Sequence, residues 1–193
     1  MATNEFIIFF MSLTYSSMLL LGTKLIAFEL IDTVSEKNFS SDELEISKPT
    51  LIMFICNHCP YVIHYHSEIQ KIYKDYKDQI NMVAISSNDI DNYPQDGPQH
   101  MQDLWKELGL SFPYLFDETQ MVAKAYKAEC TPEFYLFDNN RKLVYRGRLD
   151  ESSPNSAILP SGKDLRGAIE NLLSEIEISL EQFPSMGCNI KWK

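Results

Sequence analysis

The chain switches repeatedly between short unbroken apolar runs and longer stretches in which apolar residues return every three or four positions. The strongest run, Leu51-Ile52-Met53-Phe54-Ile55, lacks the alternation of a half-buried strand and is too short for a core helix. It predicts a strand buried on both faces. The run ends in Cys56-Asn57-His58-Cys59-Pro60, and after Pro60 the period changes. Val62, Tyr65, Ile69, Ile72, Tyr73 and Tyr76 fall on one face of a helix running to about Lys77, with the proline accommodated in its first turn. Residues 80–86, centred on Met82-Val83-Ala84-Ile85, read as a second buried strand. Strand, helix, strand implies parallel neighbours joined by a right-handed crossover.

Around this unit the pattern predicts a first strand over residues 25–31, a turn-rich hairpin entry over 32–38, and a short capped helical turn from Ser40 to Leu44. Residues 87–98 form a polar loop. A helix over about 99–108 turns Met101, Leu104, Trp105 and Leu108 inward, and residues 112–116 are a short apolar piece. A helix over 118–126 buries Met121, Val122, Ala125 and Tyr126. Thr131-Pro132 opens a strand over 133–137, and Asp138-Asn139-Asn140 turns the chain into an antiparallel partner over 142–148. The last helix, residues 163–180, buries Leu165, Ala168, Ile169, Leu172, Leu173 and Ile176, and leaves an irregular tail with Cys188 and Trp192. No repeat or linker divides the chain, so one domain over residues 23–181 is expected, with an N-terminal extension 1–22 and a C-terminal tail 182–193.

Composition narrows the partners. A net charge of −10 with no basic run disfavours nucleic acid and anionic membranes. Four cysteines in 193 residues are too few for a secreted disulfide scaffold. The apolar pieces at residues 6–11 and 18–21 are each too short to span a bilayer, and no Lys or Arg precedes Lys24, as a secretory signal would require. A cytoplasmic protein is expected, with export by this segment as the alternative, and Met11 as an alternative start. No glycine-rich phosphate loop suggests a nucleotide.

The chemistry lies at the C-x-x-C. Where a strand meets a helix, Cys56 falls at or just before the helix N-terminus, where free amides and the helix dipole favour a thiolate. A thiol so placed falls from about 8.5 into the range of roughly 3.5–7.5. His58, between the sulfurs, reads as a group that favours the thiolate further and makes the disulfide more oxidising, or as a solvent-exposed loop histidine. Cys130 reads as a third redox partner or a small apolar filler. Glu133 reads as a proton relay to Cys59 or a solvated edge residue. Cys188 is a tail thiol of unfixed path, with Cys130 as a conceivable partner. His64 and His66, two apart on a helix, face different directions. With no second C-x-x-C to complete four zinc ligands, no metal and no dissociable cofactor are expected.

The order of Phe54-Ile55-Cys56-Asn57-His58-Cys59-Pro60-Tyr61, Ser87-Asn88-Asp89, Pro113-Tyr114-Leu115-Phe116-Asp117-Glu118, Cys130-Thr131-Pro132 and Gly187-Cys188-Asn189-Ile190-Lys191-Trp192 resembles a family of peroxiredoxin-like proteins of the thioredoxin fold, in its redoxin branch. The resemblance implies an α/β fold with a central mixed sheet flanked by helices and an N-terminal β-hairpin extension. It implies a thiol–disulfide oxidoreductase in which Cys56 attacks, Cys59 resolves, and Thr131 precedes a cis proline, Pro132, against the pair. Its partners would be a protein or small-molecule disulfide and an external thiol reductant. A thiol peroxidase with antioxidant activity is the alternative, for which Arg146 or Arg148 would supply a cation. A redox-sensing or metal-binding module is a further one. Ile55 stands where thioredoxins carry tryptophan, Thr50 where they carry a buried acid, and Cys56 where peroxiredoxins carry the Thr or Ser ahead of their reactive cysteine, which aligns with Cys59.

Overall fold

A computed structural model describes residues 13–193; the expectations for residues 6–11 and for Met11 lie outside the described residues. The unbroken apolar run becomes β4 (Thr50–Phe54), an interior strand of a seven-stranded sheet. It pairs in parallel with β5 (Asn81–Ser86) and antiparallel with β8 (Glu133–Phe137). Alternate side chains serve opposite faces: Leu51 and Met53 join one apolar core, Ile52 and Phe54 the other. A strand covered on both faces has no solvated side, which is why its sequence shows no alternation.

The crossover from β4 to β5 is α1 (Pro60–Tyr76), which buries Val62, Tyr65, Ile69, Ile72 and Tyr76 against the first core. Each such side chain contributes roughly 1.5–3 kcal/mol. Beyond β5 lie β6 (Tyr114–Phe116), then the hairpin of β2 (Glu29–Asp32) and β3 (Lys37–Ser40). On the other side β8 pairs with β9 (Leu143–Gly147). The helices α2 (Pro98–Glu107) and α4 (Lys163–Leu173) pack on the α1 face, and α3 (Met121–Tyr126) on the opposite face. Among the described residues, no helix is long and apolar enough to cross a membrane.

Several expectations are corrected. The strand expected over residues 25–31 is only Glu29–Asp32. The helix α3 buries Ala123 and Tyr126 while Met121 and Ala125 face solvent, because Gln120, in a left-handed conformation, delays its start. The last helix stops at Leu173, seven residues early, and Ile176 is 59% exposed. There Glu175 is left-handed, its N–H bonds to the Leu172 carbonyl, and the Ile176 N–H bonds to that of Asn171. This is a Schellman ending, with glutamate where glycine is usual.

The tail is not irregular. Residues Met186–Asn189 form a strand, β10, between β1 (Leu13–Tyr15) and β7 (Cys130–Thr131), antiparallel to both. Gly187 makes this possible: a Cβ there would lie 2.0 Å from the Thr131 carbonyl oxygen. Only glycine lets two backbones approach so closely.

Candidate active site

The carboxyl end of β4, the amino end of α1 and the β7–β10 seam converge on one cluster of sulfurs. The Thr131–Pro132 peptide bond is cis. Cys56 Sγ lies 3.4 Å from Thr131 Oγ1. Cys59 Sγ lies 3.2 Å from the Thr131 carbonyl oxygen and 2.8 Å from Cys188 Sγ. All four cysteines are buried. Cys56, Cys59, Thr131 and Pro132 are thus brought together as expected, and Cys188 is added to them.

The helix end serves a different sulfur from the one expected. The residue flanking the first turn of α1 is Cys59, and Cys56 stands three positions ahead of it. The amides of the intervening turn are already taken, since Asn57 N–H and His58 N–H donate to Asp96 Oδ1 at 2.8 and 3.3 Å. Burial, then the hydrogen bond with Cys59 and the charge of Asp96, push the Cys56 thiol up. Burial also acts against a charge on Cys59, but hydrogen bonds from Cys188, Cys56, Val62 N–H and Thr131 outweigh it and hold this thiol well below the usual range. With its proton in place, the Cys59 thiol donates to the Thr131 carbonyl and to Cys188 Sγ. Cys188 is pushed up by its bond to Cys59 and then by burial. Of the three sulfurs, Cys59 is the one whose anionic form its surroundings favour, while those of Cys56 and Cys188 disfavour it.

Asp96 is the residue the sequence pattern overlooked. It is fully buried in a short 3-10 turn, Pro94–Asp96, within the loop expected to be merely polar. It also accepts from the Asn88 amide at 2.8 Å and sits 2.6 Å from His58 Nδ1. Asn88 in turn accepts from Lys191 N–H, tying the loop to the tail. Its only sequence signal is the helix-compatible Pro94-Gln95-Asp96 beside Gly97-Pro98. His58 is half-buried, bonded to Asp96 and stacked on Tyr93 at 5.5 Å. Cys56, His58 and Asp96 place one ligand atom each within 4.8 Å of one another, so a cation would have to displace the His58–Asp96 hydrogen bond.

Other candidates fall away from the sulfurs. Glu133 is fully buried on an interior strand, not a solvated edge. It accepts from Glu129 N–H and Tyr135 O–H at 3.0 and 2.7 Å, and burial pushes its carboxyl up to about 7. Cys130 is buried, and burial, followed by the charges of Glu133 and Cys59, pushes its thiol up. Across β10 it faces Asn189, while Cys188 faces Thr131. Arg146 and Arg148 are engaged by Gln182 and Asp164. His64 bonds to Ser152, and His66 Nε2 is buried without a partner. Beside Pro132 a cleft of about 270 Å³ is lined by Tyr15, Phe134, Arg148, Ser152, Phe183 and Met186, among others.

A parallel and antiparallel sheet flanked by helices is a thioredoxin-like fold, shared with solved proteins of lower sequence identity. Residues 20–159 match the redoxin family, and the chain belongs to it. An uncharacterized conserved protein from Geobacillus kaustophilus is 44% identical, with a TM-score of 0.92 over 95% of this chain and 97% of that one. A hypothetical protein from Sinorhizobium meliloti 1021 is 39% identical, with a TM-score of 0.90 over 93% and 98%. The thiol-disulfide oxidoreductase YkuV of Bacillus subtilis (strain 168) is 26% identical over 106 residues, which cover 53% of this chain and 68% of YkuV.

Proposed function

We propose that the protein is a thiol–disulfide oxidoreductase whose Cys56–Cys59 pair cycles between dithiol and disulfide. The observation that carries this reading is the placement of both sulfurs within 3.4 Å of Thr131, ahead of the cis proline. The oxidoreductase relative and the redoxin family membership support the same class of chemistry.

Cys59 takes the proton of Cys56 as a disulfide settles in the cleft beside Pro132. Cys56 attacks one substrate sulfur, a mixed disulfide forms, and the other substrate sulfur leaves as a thiolate. Cys59 then attacks Cys56 Sγ, and its proton leaves with the second substrate sulfur. The pair ends as a disulfide, the substrate as two thiols, and a thiol reductant resets the pair. The substrate is a protein or small-molecule disulfide, and no dissociable cofactor takes part.

Trapping settles the order of attack. Cys59→Ser should accumulate substrate on Cys56, seen as an adduct by mass spectrometry of the intact chain. Adducts on Cys59 in Cys56→Ser, with none on Cys56 in Cys59→Ser, would reverse the roles. A peroxidase reading is favoured by the hydrogen bonds that hold the Cys59 thiol below its usual range, at the position that the family resemblance aligns with the peroxide-attacking cysteine. Rapid consumption of hydrogen peroxide with slow disulfide turnover would select it.

A further inference from the structure

The exchange chemistry uses two sulfurs, yet the structure assembles three. Cys188 Sγ is 2.8 Å from Cys59 Sγ, about 0.8 Å beyond a bonded pair. This approach is built by backbone. The strand β10 is held on both edges, by β1 and β7, and Cys188 is placed opposite Thr131 by its register. Gly187 is the device that brings it in, because any side chain there would strike the Thr131 carbonyl and lift the strand from the cis-proline loop. Cys188 also has its own outlet. With Leu13, Pro60, Tyr61, Pro154 and Gly187 it lines a cleft of about 310 Å³, separate from the cleft beside Pro132, which none of the cysteines lines.

We propose that Cys188 is a third redox thiol, which takes over the disulfide from the C-x-x-C pair as a Cys59–Cys188 bond and presents it to a dithiol reductant in the cleft beside Pro60 and Tyr61. The proposal rests on the exchange reading above. The Cys188 sulfur attacks Sγ of Cys59 in the Cys56–Cys59 bond. The Cys59–Cys188 bond forms, the Cys56–Cys59 bond breaks, and the proton of Cys188 passes to Cys56. No electrons enter or leave, so the step needs no oxidant. The reductant then attacks Cys188 with one thiolate and closes its own disulfide with the second, which returns Cys188 as a thiol and Cys59 as a thiolate. The benefit is separation: substrate is oxidised or reduced at Cys56, while the pair is reset from another face.

The test is disulfide mapping of the full-length chain after titration with diamide, with free thiols alkylated and peptides separated without reduction. Wild type should carry Cys59–Cys188 with Cys56 alkylated in a substantial share of molecules. Cys56→Ser should form Cys59–Cys188, Cys188→Ser should form Cys56–Cys59, and both should remain monomeric. Gly187→Ala keeps every thiol and should lower the ratio of Cys59–Cys188 to Cys56–Cys59 at least fivefold. Recovery of Cys188 fully alkylated at every diamide level in wild type, with Cys56–Cys59 formed, would overturn the relay and leave the exchange reading standing. Absence of Cys56–Cys59 from wild type and from Cys188→Ser alike would remove the exchange reading and the relay with it.

Discussion

Two buried carboxylates act on the cysteines, Asp96 on Cys56 and Glu133 on Cys130, and they are served unequally. Asp96, on the loop side, receives two backbone amides, the Asn88 side chain and the His58 ring. Glu133, on the seam side beneath Cys130, receives the Glu129 amide and the Tyr135 hydroxyl, with a weaker contribution from the Cys130 amide, and burial pushes its carboxyl up to about 7. Asp96 is organised as an anchor whose oxygens hold the turn between Cys56 and Cys59 in place. Glu133 is a group that gains or loses a proton near neutrality inside the sheet. The difference shows how one fold holds one side of a reactive sulfur rigid with polar contacts and the other with backbone pairing, where Gly187 and β10 do the positioning.

Cys59 lies between these two sides and is the partner of both neighbouring sulfurs, so its removal is the largest perturbation. Cys59→Ser should lower turnover of a small disulfide such as 5,5′-dithiobis(2-nitrobenzoate) by roughly three orders of magnitude, the scale on which loss of a reacting group is felt. A loss below tenfold would show that neither side is arranged around this sulfur.

Glu133→Gln measures the seam side. The carboxyl is raised from an ordinary value of 4.5 to about 7, so its contribution to stability is full below 4.5 and is lost as pH rises through 7. Glutamine keeps a carbonyl oxygen for the Glu129 amide and offers its N–H to the Tyr135 oxygen. The stability difference between variant and wild type should therefore grow in the variant's favour from pH 4.5 to 8, by roughly 3 kcal/mol at one pKa unit per 1.36 kcal/mol. Chemical denaturation at both pH values checks it. A difference that does not change with pH would mean that Glu133 is as well served as Asp96.

The contrast between the two sides also separates what the sequence could and could not disclose. The central strand, the cysteine helix and the Thr131-Pro132 entry were legible because each is written locally, in an apolar run, a change of period and a proline. The early end of α4 was not, since Glu175 takes a left-handed position that sequence reading assigns to glycine. The change of period points the helix amides at Cys56, but the first turn opens one residue after Cys59, and Asp96, 37 positions beyond Cys59, claims the amides between. Asp96 and Cys188 reach the site only through tertiary pairing, for which a single chain carries no periodic signal. Gly187 was visible as a glycine in a quoted motif, and only the neighbouring Thr131 carbonyl gives it meaning.

Asp96→Asn tests the loop side. The variant keeps an oxygen for the amides of Asn57 and His58 but turns an N–H₂ toward Asn88 and the imidazole, so a loss of roughly 1–3 kcal/mol in stability is expected from the mispaired buried donors. Because the Asp96 charge raises the Cys56 thiol, its removal should shift the inflection of Cys56 alkylation with pH downward, measured in a Cys59→Ser background to isolate that sulfur. An unmoved inflection would break the claim that this carboxylate acts on the pair as well as on the loop.

His58→Ala is the finest of these tests, because it leaves both carboxylates and all sulfurs in place. The imidazole is bonded to Asp96 at 2.6 Å and stacked on Tyr93, so it reaches the thiols through the carboxylate and acts as a positioning residue. Without it the Asp96 charge is less compensated and bears more strongly on Cys56, which destabilises any anionic form of the reduced pair relative to the disulfide. The reduction potential, measured by equilibration with glutathione, should become more negative by up to about 30 mV, the equivalent of about 1.4 kcal/mol for a two-electron couple. A further loss of His58 from Asp96→Asn should then move the potential much less than its loss from wild type, since the charge it offsets is already gone. Equal potentials for wild type and His58→Ala would confine the histidine to holding the turn, and would leave Asp96 as the sole electrostatic lever on the loop side.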